Sequence, residues 1–256
     1  MSGSYVGSEL ELFEAAVTWK SYLRDQIGPH LGPYVIEVGA GIGSTTRALS
    51  TGRHERWTCL EPDPEMAARI AQSVAEGGLP PFCEAVSGTL STHATAMEQV
   101  DSVLYIDVLE HIENDADEVR LASRLLRPGG RLVVLAPAHQ WLYSPFDEAI
   151  GHYRRYSRSS LAALTCEGLR LTTLRSLDAV GLLASAGNRF LLRGAHPTPA
   201  QIRLWDRVLV RASRIVDPVF GYRLGKSVLA VWERMPGGED GKWKNERASH
   251  TESRRH

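Results

Sequence analysis

Three glycines at alternate positions follow a short apolar run. The stretch "VIEVGAGIGSTT" places Gly39, Gly41 and Gly43 between Val38 and Ser44. Glycine lets a backbone turn tightly and lets a ligand approach with no Cβ in the way. Glu37 stands two residues before the first of these glycines. Glu61 closes a second apolar run, "WTCLEP", 18 residues beyond the last of them. The dinucleotide-binding fingerprint is G-x-G-x-x-G, whereas the spacing here is G-x-G-x-G. An acid at Glu37 would repel a pyrophosphate but suits an ammonium group held through a hydrogen-bond network. An acid at Glu61 can accept hydrogen bonds from both hydroxyls of a ribose. The ligand described is a nucleoside with a cationic, amino-acid-like arm and no pyrophosphate, which fits S-adenosylmethionine.

A second concentration of reactive side chains runs from His139 to Tyr156. It holds Trp141, Tyr143, Asp147 and the stretch "GHYRRY", with His152, Tyr153, Arg154, Arg155 and Tyr156. Histidine titrates near neutrality and can take a proton from a hydroxyl, an amine or an indole. "DVLEHI" sets Asp107 and His111 four residues apart. Two ligands are too few for a metal site, so no metal is expected. His111 is expected to anchor the turn or to border a substrate.

These residues need a scaffold, and the hydrophobic pattern supplies one. Apolar runs at "YVIEV", "WTCLEP", "PFCEAV", "DSVLYIDV" and "RLVVLAPA" alternate with helical patterns at "STTRALS", "PEMAARIAQSV" and "NDADEVRLASRLL". Strand and helix alternating at this rhythm predict a parallel sheet covered on both faces. In such sheets ligands bind at the carboxyl ends of the strands. "ELFEAAVTWKSYLRDQI" predicts an N-terminal helix. After Ala138 the rhythm breaks, and residues 181–222 read as mainly helical before a last strand at "KSVLAVWER". Within that insertion Trp205, Val208, Leu209, Ala212, Ile215 and Val216 fall on one predicted helical face, and Arg203, Arg207, Arg211 and Arg214 on another.

The composition suits a soluble protein. The chain has 256 residues, 43% hydrophobic and 23% charged, enough to bury a core without disulfides. Its three cysteines, Cys59, Cys83 and Cys166, form no C-x-x-C pair, which points to a reducing compartment. No signal-peptide pattern and no span of about 20 apolar residues is present, so a cytoplasmic location is expected. Residues 1–150 hold 10 Lys/Arg against 21 Asp/Glu, and residues 151–234 hold 14 against 5. The two parts face different partners or each other. No nucleic-acid-reading motif occurs, so no nucleic acid is expected as a partner. The arginine helix suits packing on the domain or on a second copy in a homodimer. It also suits peripheral contact with anionic lipid, without stable insertion.

Taken together, "VIEVGAGIG", "LEPD", "DSVLYIDVLEHI" and "LLRPGGRLVVLAPA" resemble the motifs of class I S-adenosylmethionine-dependent methyltransferases. "WLYSPFDEAIGHYRRYSRSSL" and "GKSVLAVWER" resemble a bacterial subgroup associated with glycosyltransferases of the cell envelope. The resemblance implies an α/β, Rossmann-like, doubly wound sheet of seven strands with the last antiparallel. An N-terminal helix and a helical insertion before the last strand complete it. One methyltransferase domain would span 1–234: an N-terminal cap over 1–30, a cofactor-binding core over 31–138, and an acceptor-side connection and insertion over 139–222. A disordered tail would follow over 235–256. By position, Gly39, Gly41 and Gly43 would line the methionyl and ribose part of S-adenosylmethionine. Glu61 would take the ribose, with Pro62 or Asp63 beside the adenine. Ile106 and Asp107 would flank the methionine arm, and Trp19 and Tyr22 would cover the cofactor. Where the family often has an acid after strand three, this chain reads "AVSGTL", leaving Gly88 and Thr89 for that role.

Methyl transfer from a sulfonium is an in-line displacement, so the protein aligns the acceptor and, where needed, removes a proton. The resemblance places 139–156 on the acceptor side. His139 is the first choice as base, with His152 second and Tyr143 as a further polar group. His111, Trp141, Tyr153, Arg154 and Tyr156 would border the acceptor, and "GHYRRY" would be part latch and part wall. The expected acceptor is a small molecule methylated on O, N or C, for instance a natural-product heterocycle. A sugar or lipid-linked glycan at a membrane face is the alternative. A non-catalytic S-adenosylmethionine-binding partner protein is the rival of another class.

Overall fold

The computed structural model describes residues 14–50, 54–187 and 198–237. Seven strands form one sheet in the order β3-β2-β1-β4-β5-β7-β6. They are β1 (Tyr34–Val38), β2 (Arg56–Glu61), β3 (Cys83–Ser87), β4 (Val100–Ile106), β5 (Leu126–Pro137), β6 (Leu169–Leu177) and β7 (Ser227–Arg234). The first five pair in parallel, and β7 runs antiparallel between β5 and β6. Strand order reverses at β1, whose neighbours are β2 and β4, so the carboxyl ends of these strands open on one crevice.

The central strands are apolar runs because helices cover both their faces. One buried cluster joins Ile36, Val103, Tyr105, Val134 and Trp232. The other joins Val35, Trp57, Leu104, Val133 and Leu229. The helices on the amino-terminal side are α1 (Val17–Ile27), α2 (Ser44–Leu49), α3 (Pro64–Ala75), α4 (Leu90–His93) and α5 (Asp115–Leu125). Each of the two longer core helices starts where the sequence provides a cap. Asp63 accepts from the amides of Glu65 and Met66 ahead of α3, and Asn114 accepts from Asp117 ahead of α5.

Beyond β5 come α6 (Pro145–Ala149), α7 (Arg158–Ala162), α8 (Ala179–Gly187), α9 (Pro199–Leu204) and α10 (Val210–Val219). A π-helical turn, Trp205–Leu209, joins α9 to α10. No described helix is long and apolar enough to cross a membrane. The final residues of the expected tail, 238–256, lie outside the described residues, as does Leu12 of the expected first helix.

Two details differ from the sequence expectation. Strand β5 begins at Leu126 and takes in "RPGG", ahead of the strand expected at "RLVVLAPA". A Cβ on Gly130 would stand 2.9–3.2 Å from the carbonyls of Arg127, Asp101 and Val100. Only glycine lets the backbone pass so close to the start of β4, and the strand can therefore begin early. The second difference is the face of α9–α10. Ile202, Asp206, Val210, Ser213 and Asp217 point inward, whereas Val208 and Ile215 are exposed. The inward polar groups serve as caps for other elements. Asp206 accepts from the amides of Thr18 (3.2 Å) and Trp19 (2.8 Å), which begin α1 without a cap of their own. Asp217 accepts from the Tyr22 hydroxyl (2.7 Å) and from the amides of Asp178 (2.7 Å) and Ala179 (2.9 Å). The insertion thus clamps the N-terminal helix. Arg214 adds an ion pair with Asp25 and lies over the Tyr22 ring.

Candidate active site

The glycine loop turns through three left-handed positions, with φ of +68° at Gly39, +58° at Gly41 and +76° at Gly43. A side chain on Gly39 would strike Val108, whose Cγ2 would lie 2.6 Å from the added Cβ. The loop is tied down from β2. Gly39 and Ala40 both donate to the Leu60 carbonyl, and Gly41 donates to Glu61 Oε2 at 2.7 Å. The other oxygen of Glu61 accepts from the Asp63 amide at 3.0 Å. Burial pushes the Glu61 carboxyl above its usual range, and these two amides pull it back. Gly88 donates to the Glu61 carbonyl, so Gly88 and the exposed Thr89, which caps α4, stand beside Glu61 at the same rim. Pro62 is exposed next to them, and the Asp63 side chain is engaged in capping α3.

Glu37 lies beneath the loop. Its Oε2 accepts from the Thr46 hydroxyl (2.7 Å) and from Trp57 Nε1 (2.8 Å). Burial pushes its carboxyl up to about 7 against those two hydrogen bonds. Its described partners are protein groups that pin the loop to α2 and β2. Trp19 and Tyr22 are likewise committed: Trp19 packs on Trp205 with ring centroids 5.6 Å apart, and Tyr22 bonds Asp217.

Across the crevice, β4 ends at the half-buried Ile106, and Asp107 follows with φ of +55°. The Asp107 side chain is open to solvent, and among the described residues no group donates to it. Neighbouring protein partly desolvates it. This desolvation raises its carboxyl, while the charges of His152, Lys226 and Arg155 lower it. An exposed acid with no donor among the described residues, just beyond β4, fits the cationic arm of S-adenosylmethionine. The left-handed glycines and the Glu61 carboxylate fit its ribose side.

The acceptor-side residues are held by a different network. His139 also adopts a left-handed backbone, φ +69°, a costly conformation for histidine. Its Nε2 donates to the Gly225 carbonyl at 2.9 Å, which leaves Nδ1 with its lone pair. Its ring packs on Trp141, which is 45% exposed. Asp147 is buried and acts as a hub. It accepts from Ser144, from His152 Nδ1 (2.9 Å) and from Arg155 through two nitrogens (2.7 and 3.0 Å). Burial alone would raise its carboxyl, but His152, Arg155 and Ser144 outweigh it and hold the group well below the usual range. Tyr143 donates to the His152 carbonyl at 2.6 Å.

Two residues expected at the acceptor are drawn elsewhere. Arg154 pairs with Asp115 at 2.6 Å and donates to the Glu113 carbonyl, and the buried Tyr156 hydroxyl donates to Asp115 at 2.7 Å. The acid at the start of α5 captures both, making this part of "GHYRRY" a latch. Tyr153 stays exposed, with Arg154 over its ring. The sequence reading assigned no role to Glu110, Asp178 or Lys226. Glu110 is fully buried beside His111 and His152. Asp178 accepts from Ser213 and from Trp205 Nε1, and Lys226 lies 5.0 Å over the Trp205 ring. The left-handed backbone of Asp107, His139 and Asp178, one at the end of each of three strands, marks this rim in the structure.

A sheet of this order with such a loop defines the class I methyltransferase fold. Residues 36–134 match the family model described as a methyltransferase domain. Over 128 residues the chain is 30% identical to the thiol S-methyltransferase TMT1A of Homo sapiens, covering 48% of this chain and 52% of that protein. Over 136 residues it is 26% identical to the ubiquinone/menaquinone biosynthesis C-methyltransferase UbiE of Paracoccus denitrificans, covering 50% and 54%. The chain thus spans about half the length of these curated relatives. Among solved structures, geranyl diphosphate methyltransferase in complex with S-adenosylmethionine aligns with a TM-score of 0.59 over 84% of this chain and 85% of that one. At 16% identity that likeness is one of fold. Over residues 36–134 the chain is thus similar to a methyltransferase domain, within a fold that it shares with solved methyltransferases.

Proposed function

We propose that this chain transfers a methyl group from S-adenosylmethionine to a small-molecule acceptor. The observation that carries the reading is the crevice at the strand-order reversal. Three left-handed glycines and Glu61 stand on one side of it, and Asp107, with an unclaimed carboxylate, on the other. The bound sulfonium supplies an electrophilic methyl group. Gly39, Gly41 and Gly43 let the backbone come close to the methionyl and ribose part. Glu61 keeps a lone pair on each oxygen for ribose hydroxyls, and Ile106 and Asp107 flank the methionine arm. Pro62, Asp63, Gly88 and Thr89 border the adenine.

On the acceptor side, His139 has the attributes of a base. Its tautomer is fixed by the Gly225 carbonyl, and its free Nδ1 can take the acceptor's proton as the new bond forms. Trp141 and Tyr153 offer exposed aromatic faces, which favours a compact, partly aromatic acceptor. A second reading, a lipid-linked glycan at a membrane face, is favoured by one observation. Leu204, Val208, Ile215 and Val219 are exposed along the same outer surface as Arg203, Arg207 and Arg211. Label transfer separates the readings. Protein supplied with methyl-labelled S-adenosylmethionine and a panel of phenols, heterocycles, sugars and lipid-linked glycans is expected to label a phenol or heterocycle. Label on the glycans alone would select the second reading. Tight cofactor binding with no label transferred would leave a binding protein.

A further inference from the structure

We propose that Glu110, His111 and His152 form a binding site for a divalent transition-metal ion of the zinc type. One ligand atom from each lies within 4.8 Å of the others. The rings of His111 and His152 stand edge to face at 4.5 Å, and His152 Nε2 lies 3.8 Å from Glu110 Oε1. Glu110 supplies the independent sign of a missing ligand. Its side chain is fully buried, and among the described residues neither carboxylate oxygen has a hydrogen-bond partner. A buried carboxylate with no donor is strongly disfavoured. A residue serving only to pack would be better as leucine or glutamine. The ion pair with His152 does not resolve this. That imidazole already gives its Nδ1 proton to Asp147 at 2.9 Å, and its Nε2 is too far from Glu110 for a hydrogen bond.

The surroundings are those of ligating imidazoles. A ligating histidine usually turns its other nitrogen to a carboxylate or a backbone carbonyl. His152 turns Nδ1 to Asp147, and the Ile150–Gly151 backbone lies against the His111 ring. His111 is also open to solvent, which gives an ion a way in. Two imidazoles and one carboxylate suit zinc, iron(II) or cobalt better than calcium or magnesium, which seek oxygen ligands. Zinc–nitrogen bonds of about 2.1 Å call for ligand atoms about 3.4 Å apart, a modest closing of the present cluster. The sequence paired His111 with Asp107; the fold instead joins it to Glu110 and His152, from the segments after β4 and β5.

The site stands whether or not methyl transfer is the reaction, and its test is separate. Protein stripped with chelator is titrated with Zn²⁺ and with Co²⁺, reading stoichiometry by elemental analysis, cobalt absorption and the melting temperature. The wild type should take up one ion per chain and melt higher with it. Glu110→Gln should fold, because it removes an unpaired buried charge, and should bind at least tenfold more weakly with no rise in melting. Asp147→Asn should weaken binding by about 10–100-fold. Equal affinity of wild type and Glu110→Gln for both ions, with melting unmoved, would overturn the proposal. Calorimetry with S-adenosylmethionine on the same stripped protein reports on the methyltransferase reading independently.

Discussion

Glu37 and Glu110 are both enclosed carboxyls whose protons are held above the usual range by burial. They stand in opposite walls of the crevice and in opposite conditions. Glu37 receives Thr46 and Trp57, and on the same wall Glu61 receives two amides. Among the described residues neither Glu110 nor the exposed Asp107 near it in the chain has a donor to its carboxylate. The glycine-loop wall is thus tied together internally, with its loop held by hydrogen bonds to neighbouring elements. The opposite wall holds left-handed backbone at Asp107, which flanks the methionine arm, and at His139 on the acceptor side.

The largest effect is expected on the opposite wall. His139→Asn keeps a residue that tolerates the left-handed backbone and an amide able to reach Gly225, but removes the basic nitrogen. Turnover of a hydroxyl or amine acceptor should fall by about 10²–10⁴-fold, with cofactor affinity unchanged. A raised KM with normal kcat would mean that His139 only positions the acceptor.

The next effect belongs to the glycine-loop wall. Glu37 is raised from 4.5 to about 7, so the folded state binds its proton more tightly than the unfolded state. That stabilisation is full below about pH 4.5 and is lost as the pH rises through about 7. It corresponds to roughly 3 kcal/mol. Glu37→Gln retains an oxygen for Thr46 and Trp57, and its melting temperature should fall less between pH 5 and 8 than that of the wild type, roughly the pH window named. Parallel melting curves against pH would show that Glu37 does not titrate there. A smaller effect is expected at Glu61. Glu61→Ala should weaken S-adenosylmethionine binding by about 1.5–3 kcal/mol through the loss of hydrogen bonds to a charged acceptor. Calorimetry giving an unchanged affinity would remove Glu61 from the site.

The contrast between the walls also explains what the sequence revealed. The glycine loop, Glu37 and Glu61 are legible because they lie close together in the chain and their spacing is the signal. The central strands are legible because burial on both faces makes them apolar runs. The inward face of α9–α10 was not legible. Asp206, Ser213 and Asp217 point into the protein to receive amides and hydroxyls from distant segments, and helical periodicity reads such residues as outward. "DVLEHI" displays Glu110 and His111 side by side, but only the fold brings His152 to them. The same holds for the latch, where Arg154 and Tyr156 meet Asp115 from far along the chain.

The central claim is that the crevice is built for a nucleoside with a cationic arm and no pyrophosphate. Calorimetry of the full chain with S-adenosylmethionine and, separately, with NAD tests it most directly. The account predicts micromolar affinity for S-adenosylmethionine, roughly −8 kcal/mol, and no comparable heat with NAD. Tight binding of NAD with none of the sulfonium ligand would contradict it.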